Sequence, residues 1–152
     1  MLAVRRIAAT LAIIVGLSAG GHAAAQTAFC QILLREGGQV TASVTGERLS
    51  SAIPGGMSSR VEVDAVGNFT VRVDPPVLVQ APGPYNTTGQ SLEVAYRGLG
   101  GLSGVNQSFT QSSTSFNTGL SIIADVLIDA RLNTPVGLTE GNYRMRTVLT
   151  CF

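Results

Sequence analysis

Short runs that alternate apolar and polar residues, broken by turn formers, limit the folds open to this chain more than any other feature. Residues 60–65 set Val61, Val63 and Ala65 against Arg60, Glu62 and Asp64, and residues 69–73 set Phe69, Val71 and Val73 against Thr70 and Arg72. Leu92, Val94 and Tyr96 alternate with Glu93 and Arg97, and Val40, Ala42 and Val44 share a phase. A period of two belongs to strands with one buried face, and no long stretch of period 3.6 competes with it. In residues 121–132, Ile122, Ala124, Val126, Ile128 and Ala130 lie opposite Asp125, Asp129 and Arg131. The length of this run raises a helix as the competitor; its β-branched residues and period-two charges favour a strand. The last run, residues 142–152, turns Tyr143, Met145, Thr147, Leu149 and Cys151 inward and leaves Arg144, Arg146, Val148 and Thr150 outward.

The cysteines fall in phase with this pattern. Cys30 shares a face with Ile32 and Leu34, and Cys151 shares one with Leu149. Both thiols are therefore expected to point into the core, and a Cys30–Cys151 disulfide between the first and last strands follows. Closing a loop of that length stabilises by roughly 5 kcal/mol on the chain-entropy model.

The start of the chain reads as a secretory leader. Arg5 and Arg6 precede an uncharged, mostly apolar run from Ile7 to Ala19, and Ala23-Ala24-Ala25 supplies the small residues of a cleavage site. The run is too short to span a bilayer, which takes about 20 apolar residues. A signal peptide over residues 1–25 is expected, with a mature chain from Gln26. That chain is exported to the periplasm, cell surface or surroundings, an oxidising setting that suits the disulfide. Of 152 residues, the leader takes 25 and leaves 127, read as one domain over residues 26–152.

Charge and residue types narrow the function. The chain has no lysine, and the leader removes two of its ten arginines, leaving eight against nine Asp and Glu. A net charge of −1 offers no electrostatic footprint for nucleic acid, and no membrane insertion is expected once the leader is gone. The one histidine, His22, lies in the leader. Triads with histidine, lysine Schiff bases and histidine-type zinc sites therefore have no residues to build them. Asp125 and Asp129 are the nearest approach to a carboxylate pair, but at period two they share a solvent face with other polar groups. The glycine-rich stretch from Gly98 to Gly104 lacks the Lys-Ser/Thr of a phosphate loop and reads as a flexible surface loop. Asn68, Asn86 and Asn106 match glycosylation sequons that arise easily by chance in a chain rich in Ser and Thr. No enzyme, cofactor or metal is expected.

Two readings are specific enough to test. Face matching around Gly67-Asn68 selects a hairpin with a three-residue loop, pairing Val63 with Val71 and Val61 with Val73, and setting Glu62 across from Arg72. Long loops run over Gln80–Gln90 and Gly98–Thr118; the second either is mobile or holds one irregular edge strand around Ser108–Phe116. Tyr85, Phe109 and Phe116 lie in them, either as a binding patch or as anchors folded back onto the domain.

From Asp125-Val126-Leu127-Ile128-Asp129-Ala130 the chain runs through Leu138-Thr139-Glu140-Gly141-Asn142-Tyr143 to Thr147-Val148-Leu149-Thr150. This ending resembles that of secreted bacterial β-sandwich proteins of the spore coat U and fimbrial-subunit-like group. The resemblance implies an immunoglobulin-like antiparallel β-sandwich, here of seven to eight strands, and a surface-associated, non-enzymatic role with protein partners through self-association or surface assembly. Only Gln26 to Phe29 would precede Cys30, too short for a donated strand, so assembly by strand donation is not expected. The rival from another class is a secreted binding module that holds a glycan or protein with the Gln80–Gln90 and Gly98–Thr118 loops.

Overall fold

The computed structural model describes residues 27–152. The expected leader, its cleavage site and Gln26 lie outside the described residues. In chain order the strands are β1 (Phe29–Glu36), β2 (Thr41–Ala42), β3 (Arg48–Ser50), β4 (Ser59–Val66), β5 (Thr70–Val73), β6 (Val77–Gln80), β7 (Ser91–Gly98), β8 (Asn106–Thr110), β9 (Thr114–Asn117), β10 (Ser121–Asn133), β11 (Arg144–Arg146) and β12 (Leu149–Cys151). Every pairing is antiparallel. The described residues hold no α-helix, and the twelve short strands exceed the seven or eight expected because several runs are interrupted.

β10 is the spine of the larger sheet. Its first eight residues pair with β4, its last eight with β7 on the other side, and residues 131–133 also pair with β3. β1 extends the sheet beyond β4, β8 beyond β7, and β2 beyond β3. A strand of 13 residues survives here because it contains no Gly or Pro, and Pro135 lies just past its end. The smaller layer consists of β9–β5–β12 and β6–β11. One core cluster joins Ile32, Val61, Val63, Val94 and Val126 of the large sheet to Val71, Val73, Phe116 and Leu149 of the small layer. Two antiparallel layers packed face to face in this way are consistent with a β-sandwich.

The expected β4–β5 hairpin is not formed. β4 already has β1 and β10 on its two edges, and β5 has β12 and β9. Glu62 is opposite Leu33 and Asp125, and Arg72 is opposite Thr150 and Ser115. The side-chain phase is as expected, since Val61, Val63, Val71 and Val73 are all fully buried. They meet across the core, though, and not across a ladder. The chain changes layer at Gly67-Asn68 and again after Thr118, and the two crossings are tied together. Thr118 donates its amide to the Phe69 carbonyl (2.9 Å), its hydroxyl accepts the Phe69 amide (3.1 Å), and Gly67 donates to the Leu120 carbonyl (2.7 Å).

Three other readings need correction. The last run keeps its phase, with Met145, Thr147 and Leu149 buried, but splits into β11 and β12. Its partner strand carries Pro75 and Pro76, which have no N–H to donate, so the ladder lapses after the bond from Asp74 to Val148 (3.0 Å) and resumes at Val77 and Arg146. Leu34 is exposed: the register shifts between Leu34 and Glu36, so the β1 alternation ends there. In the run from Val40 to Val44, only Val40 packs against a core cluster; Ala42 is exposed on a two-residue strand at the sheet margin, and Val44 is exposed in the turn after it.

Candidate functional surface

Asp125 and Asp129 are each committed to the fold. The Asp125 carboxylate takes a hydrogen bond from Arg60 at 2.5 Å. That bond holds its carboxyl below the usual carboxylate range against the opposing effect of desolvation, and it raises the Arg60 guanidinium in turn. Asp129 Oδ1 accepts from the hydroxyls of Ser51 and Ser58, both at 2.7 Å. The Ser51 hydroxyl also accepts the amide of Ala130 at 3.0 Å. Asp129 thereby pins the connection between β3 and β4 onto β10. The two carboxylates thus serve separate anchors and do not converge on one space.

Residues 98–118 are neither a mobile loop nor a single edge strand. Gly98 donates to Val105 (2.8 Å), Leu99 to Asp125 (2.8 Å) and Val105 to Leu102 (2.8 Å), around a 3₁₀ turn over Gly100–Leu102 that buries Leu102 in the core. A side chain at Gly98 would collide with the Leu102 carbonyl, so this glycine permits close packing of the backbone. β8 and β9 follow, one in each layer.

The aromatic residues of this region and of residues 80–90 are anchors. Phe116 is buried against Tyr96, with ring centroids 5.6 Å apart. Phe109 lies under the Arg131 guanidinium, 4.0 Å from its ring centroid, and Arg131 also pairs with Glu93. Tyr85 meets the edge of Tyr143 at 5.2 Å and bonds Gln90 through its hydroxyl (3.0 Å). The Tyr143 hydroxyl in turn bonds both the carbonyl (2.9 Å) and the amide (3.0 Å) of Thr139. The sequence segment Leu138-x-x-Gly141-x-Tyr143 carries this contact; its spacing was visible, but its hydrogen bonds were not.

Two depressions among the described residues adjoin these elements. One, of about 300 Å³, opens between the layers beside Val40, Ser59, Ile128, Met145 and Thr147. The other, of about 570 Å³, is lined by Ser43, Thr45, Glu47 and Arg48 of the β2–β3 turn region and by Gly89, Asn133 and Pro135. Arg48 is tied to Asn133 (2.9 Å), and the Ser43 and Thr45 hydroxyls share a hydrogen bond (3.2 Å). Among the described residues no group of three or more His, Cys, Asp or Glu could hold a metal ion. None of the described helices is long and apolar enough to cross a membrane.

The outward faces of the two layers differ. On the large sheet, the end row Phe29–Val66–Ser121 and the next row Gln31–Asp64–Ile123 face solvent. Phe29 is 42% and Ile123 72% exposed, and Asp64 has no cationic partner among the described residues. Deeper in the same face, Glu62 is paired with Arg35 and Asp125 with Arg60. On the small layer, Val77 and Val79 of β6 are 48% and 44% exposed beside Arg146 and Arg144 of β11. Those arginines have no carboxylate partner among the described residues. Period-two phase alone places Asp64, Arg144 and Arg146 outward; which charges are left unpaired depends on strand order, which the sequence did not disclose.

Comparison with known proteins found no matching family model, curated protein or solved structure.

Proposed function

We propose that this chain is an exported, non-enzymatic structural or surface-associated protein with an immunoglobulin-like sandwich, akin to pilus or coat subunits. The observation that carries the reading is the Cys30–Cys151 disulfide, with Cα atoms 6.3 Å apart. It links β1, at one edge of the large sheet, to β12, at one edge of the small layer, so it fastens the open side of the two-layer stack. A covalent clamp there suits a domain that must persist in an oxidising compartment. The bond from Tyr143 back to Thr139 adds support, because a tyrosine whose hydroxyl bonds backbone a few residues upstream marks the corners of immunoglobulin-like sandwiches. This chain departs from antibody domains in having no Trp and in carrying its disulfide on edge strands. The test is to fractionate cells producing the full chain and weigh the exported species. A chain beginning at Gln26 in the surface-associated fraction supports the reading; a species retaining Met1, or one confined to the cytosol, removes it.

A second reading, a secreted binding module, is favoured by the depression between Gly89 and the β2–β3 turn. There Glu47 supplies acceptors and Arg48 spare donors, a set suited to sugar hydroxyls. Saccharide titration followed by NMR would separate the readings. Shifts confined to Ser43–Arg48 and abolished by Arg48→Ala favour the module, and no shift at any saccharide disfavours it.

A further inference from the structure

We propose that copies of this chain dock face to face in a head-to-tail manner: the Val77–Val79–Arg144–Arg146 face of one copy sits on the Phe29–Asp64–Ile123 face of the next. The proposal rests on the structural, surface-associated reading above and names its partner as a second copy.

Three observations lead there. First, both patches put apolar side chains on outward sheet faces, where a period-two pattern ordinarily sets polar groups. Ile123 and Phe29 stand beside Gln31, Asp64 and Ser121 on one outward face, and Val77 and Val79 stand beside Arg144 and Arg146 on the other layer. Exposed apolar residues grouped in this way mark interaction sites. Second, the charges around the two patches are opposite and uncompensated. Most ions on these faces have partners: Arg35 with Glu62, Arg60 with Asp125, Arg131 with Glu93, Arg72 with Asp74. Asp64 lacks one at the first patch, as do Arg144 and Arg146 at the second. Arg97, a cation without a carboxylate partner among the described residues of the first face, is opposite Leu127, about 13 Å farther along β10 from Ile123, so it stands away from Asp64. Third, the inner sides of the two layers pack on each other, through Met145 and Leu78 on one and Leu132 and Leu92 on the other. The two patches therefore lie on opposite outer sides of the molecule.

Charge decides the kind of symmetry. A two-fold contact would bring Arg144 and Arg146 against their own copies, or Asp64 against Asp64, which is repulsive. Only the heterologous contact brings opposite signs together. Because its two halves lie on opposite sides, the contact can repeat and build an open series of copies. No strand is exchanged or donated, so the contact does not depend on the segment before Cys30.

The experiment is sedimentation velocity on the exported, oxidised chain over a concentration series, at low and high salt. The expected result is association into dimers and larger species that weakens with salt. Asp64→Arg, and separately Arg144→Asp with Arg146→Asp, should each weaken it by roughly tenfold or more, the scale of close interfacial charge pairs. All three changes in one chain should restore it. Ile123→Ser, at an open position with little bearing on folding, should weaken it without reversing any charge, and thermal melting of every variant checks the fold. A chain that stays monomeric to roughly millimolar concentration, or that associates with no response to the reversals, overturns the face-to-face contact. If such a chain is still recovered from the surface fraction, the structural reading stands without this contact; if it is absent from that fraction, the reading itself falls.

Discussion

The Tyr143 hydroxyl closes on the backbone of Thr139, donating to its carbonyl at 2.9 Å and accepting from its amide at 3.0 Å. The connection from β10 to β11 is thereby cinched four residues upstream of the tyrosine, while the ring packs with Leu132 and Met145 in the second core cluster. Tyr143→Phe keeps the ring and leaves two part-buried backbone groups without that partner. A loss of about 1–2 kcal/mol is expected from chemical denaturation, with the strand content unchanged by circular dichroism. An unchanged denaturation midpoint would mean that water serves Thr139 equally well.

Gly141 makes this corner possible. Its φ is +143°, and a Cβ there would lie 2.6 Å from the Pro82 Cγ. Gly141→Ala therefore meets both an unfavourable backbone conformation and a rigid proline ring. About 1–3 kcal/mol of destabilisation is expected for the backbone alone, with the clash in addition. Gly104→Ala is the control, since its φ is not positive and nothing lies near its would-be Cβ; the change should be close to neutral.

The Arg60–Asp125 pair predicts a sign for the acid limb of stability. The bond from Arg60 lowers the Asp125 carboxyl in the folded chain, so the unfolded chain binds the proton more readily. The contribution is complete above the ordinary carboxylate range and is lost as pH falls through the lowered folded value. Arg60, raised by the same bond, stays charged throughout, so the acid effect belongs to Asp125. Asp125→Asn should reduce the denaturation midpoint at neutral pH and make less difference at acid pH, below the ordinary carboxylate range. A variant that loses the same stability at both pH values would contradict the linkage. Both side chains are partly exposed, so the effect should also shrink with salt.

Alternation in the sequence was enough to set the burial of Val61, Val63, Val71, Val73, Val94 and Val126, all fully buried. It was not enough to pair them. A hairpin and a crossing between layers put the same residues on the same inward phase, so Val63 and Val71 could meet either beside each other or across the core. What decides is the occupancy of β4 by β1 and β10, a long-range fact that no window around Gly67 contains. The proline pair at Pro75 and Pro76 was legible as a chain break, but its effect on the distant β11–β12 strand was not, because the two segments are about 70 residues apart in sequence. The same limit applies to the proposed surface. Asp64, Arg144 and Arg146 were legible as outward, whereas their lack of partners depends on which strands stand next to them.

Cys30 and Cys151 join strands that are not hydrogen-bonded to each other: β1 pairs with β4, and β12 with β5. The disulfide spans 121 residues of sequence, with Cα atoms 6.3 Å apart, in the range that a bridge requires. It therefore acts chiefly on the unfolded chain, whose ends it holds together, and secondarily on the seam between the two layers. The chain-entropy model gives roughly 5 kcal/mol for such a loop, and a compact unfolded state lowers this, so about 2–5 kcal/mol is expected. For a domain of this size that is a fall in Tm of about 8–20 °C. Cys30→Ser and Cys151→Ser should each produce it, and the double variant should be no worse than either single one, because one substitution already removes the bond. The position of the bond adds a second expectation. With β1 and β12 no longer joined, hydrogen exchange should quicken first in those two edge strands, while the amides of β4 and β10 stay protected. Non-reducing mass spectrometry of a tryptic digest of the protein should find the Cys30 and Cys151 peptides linked. Recovery of both as free thiols would overturn this account of how the layers are held together.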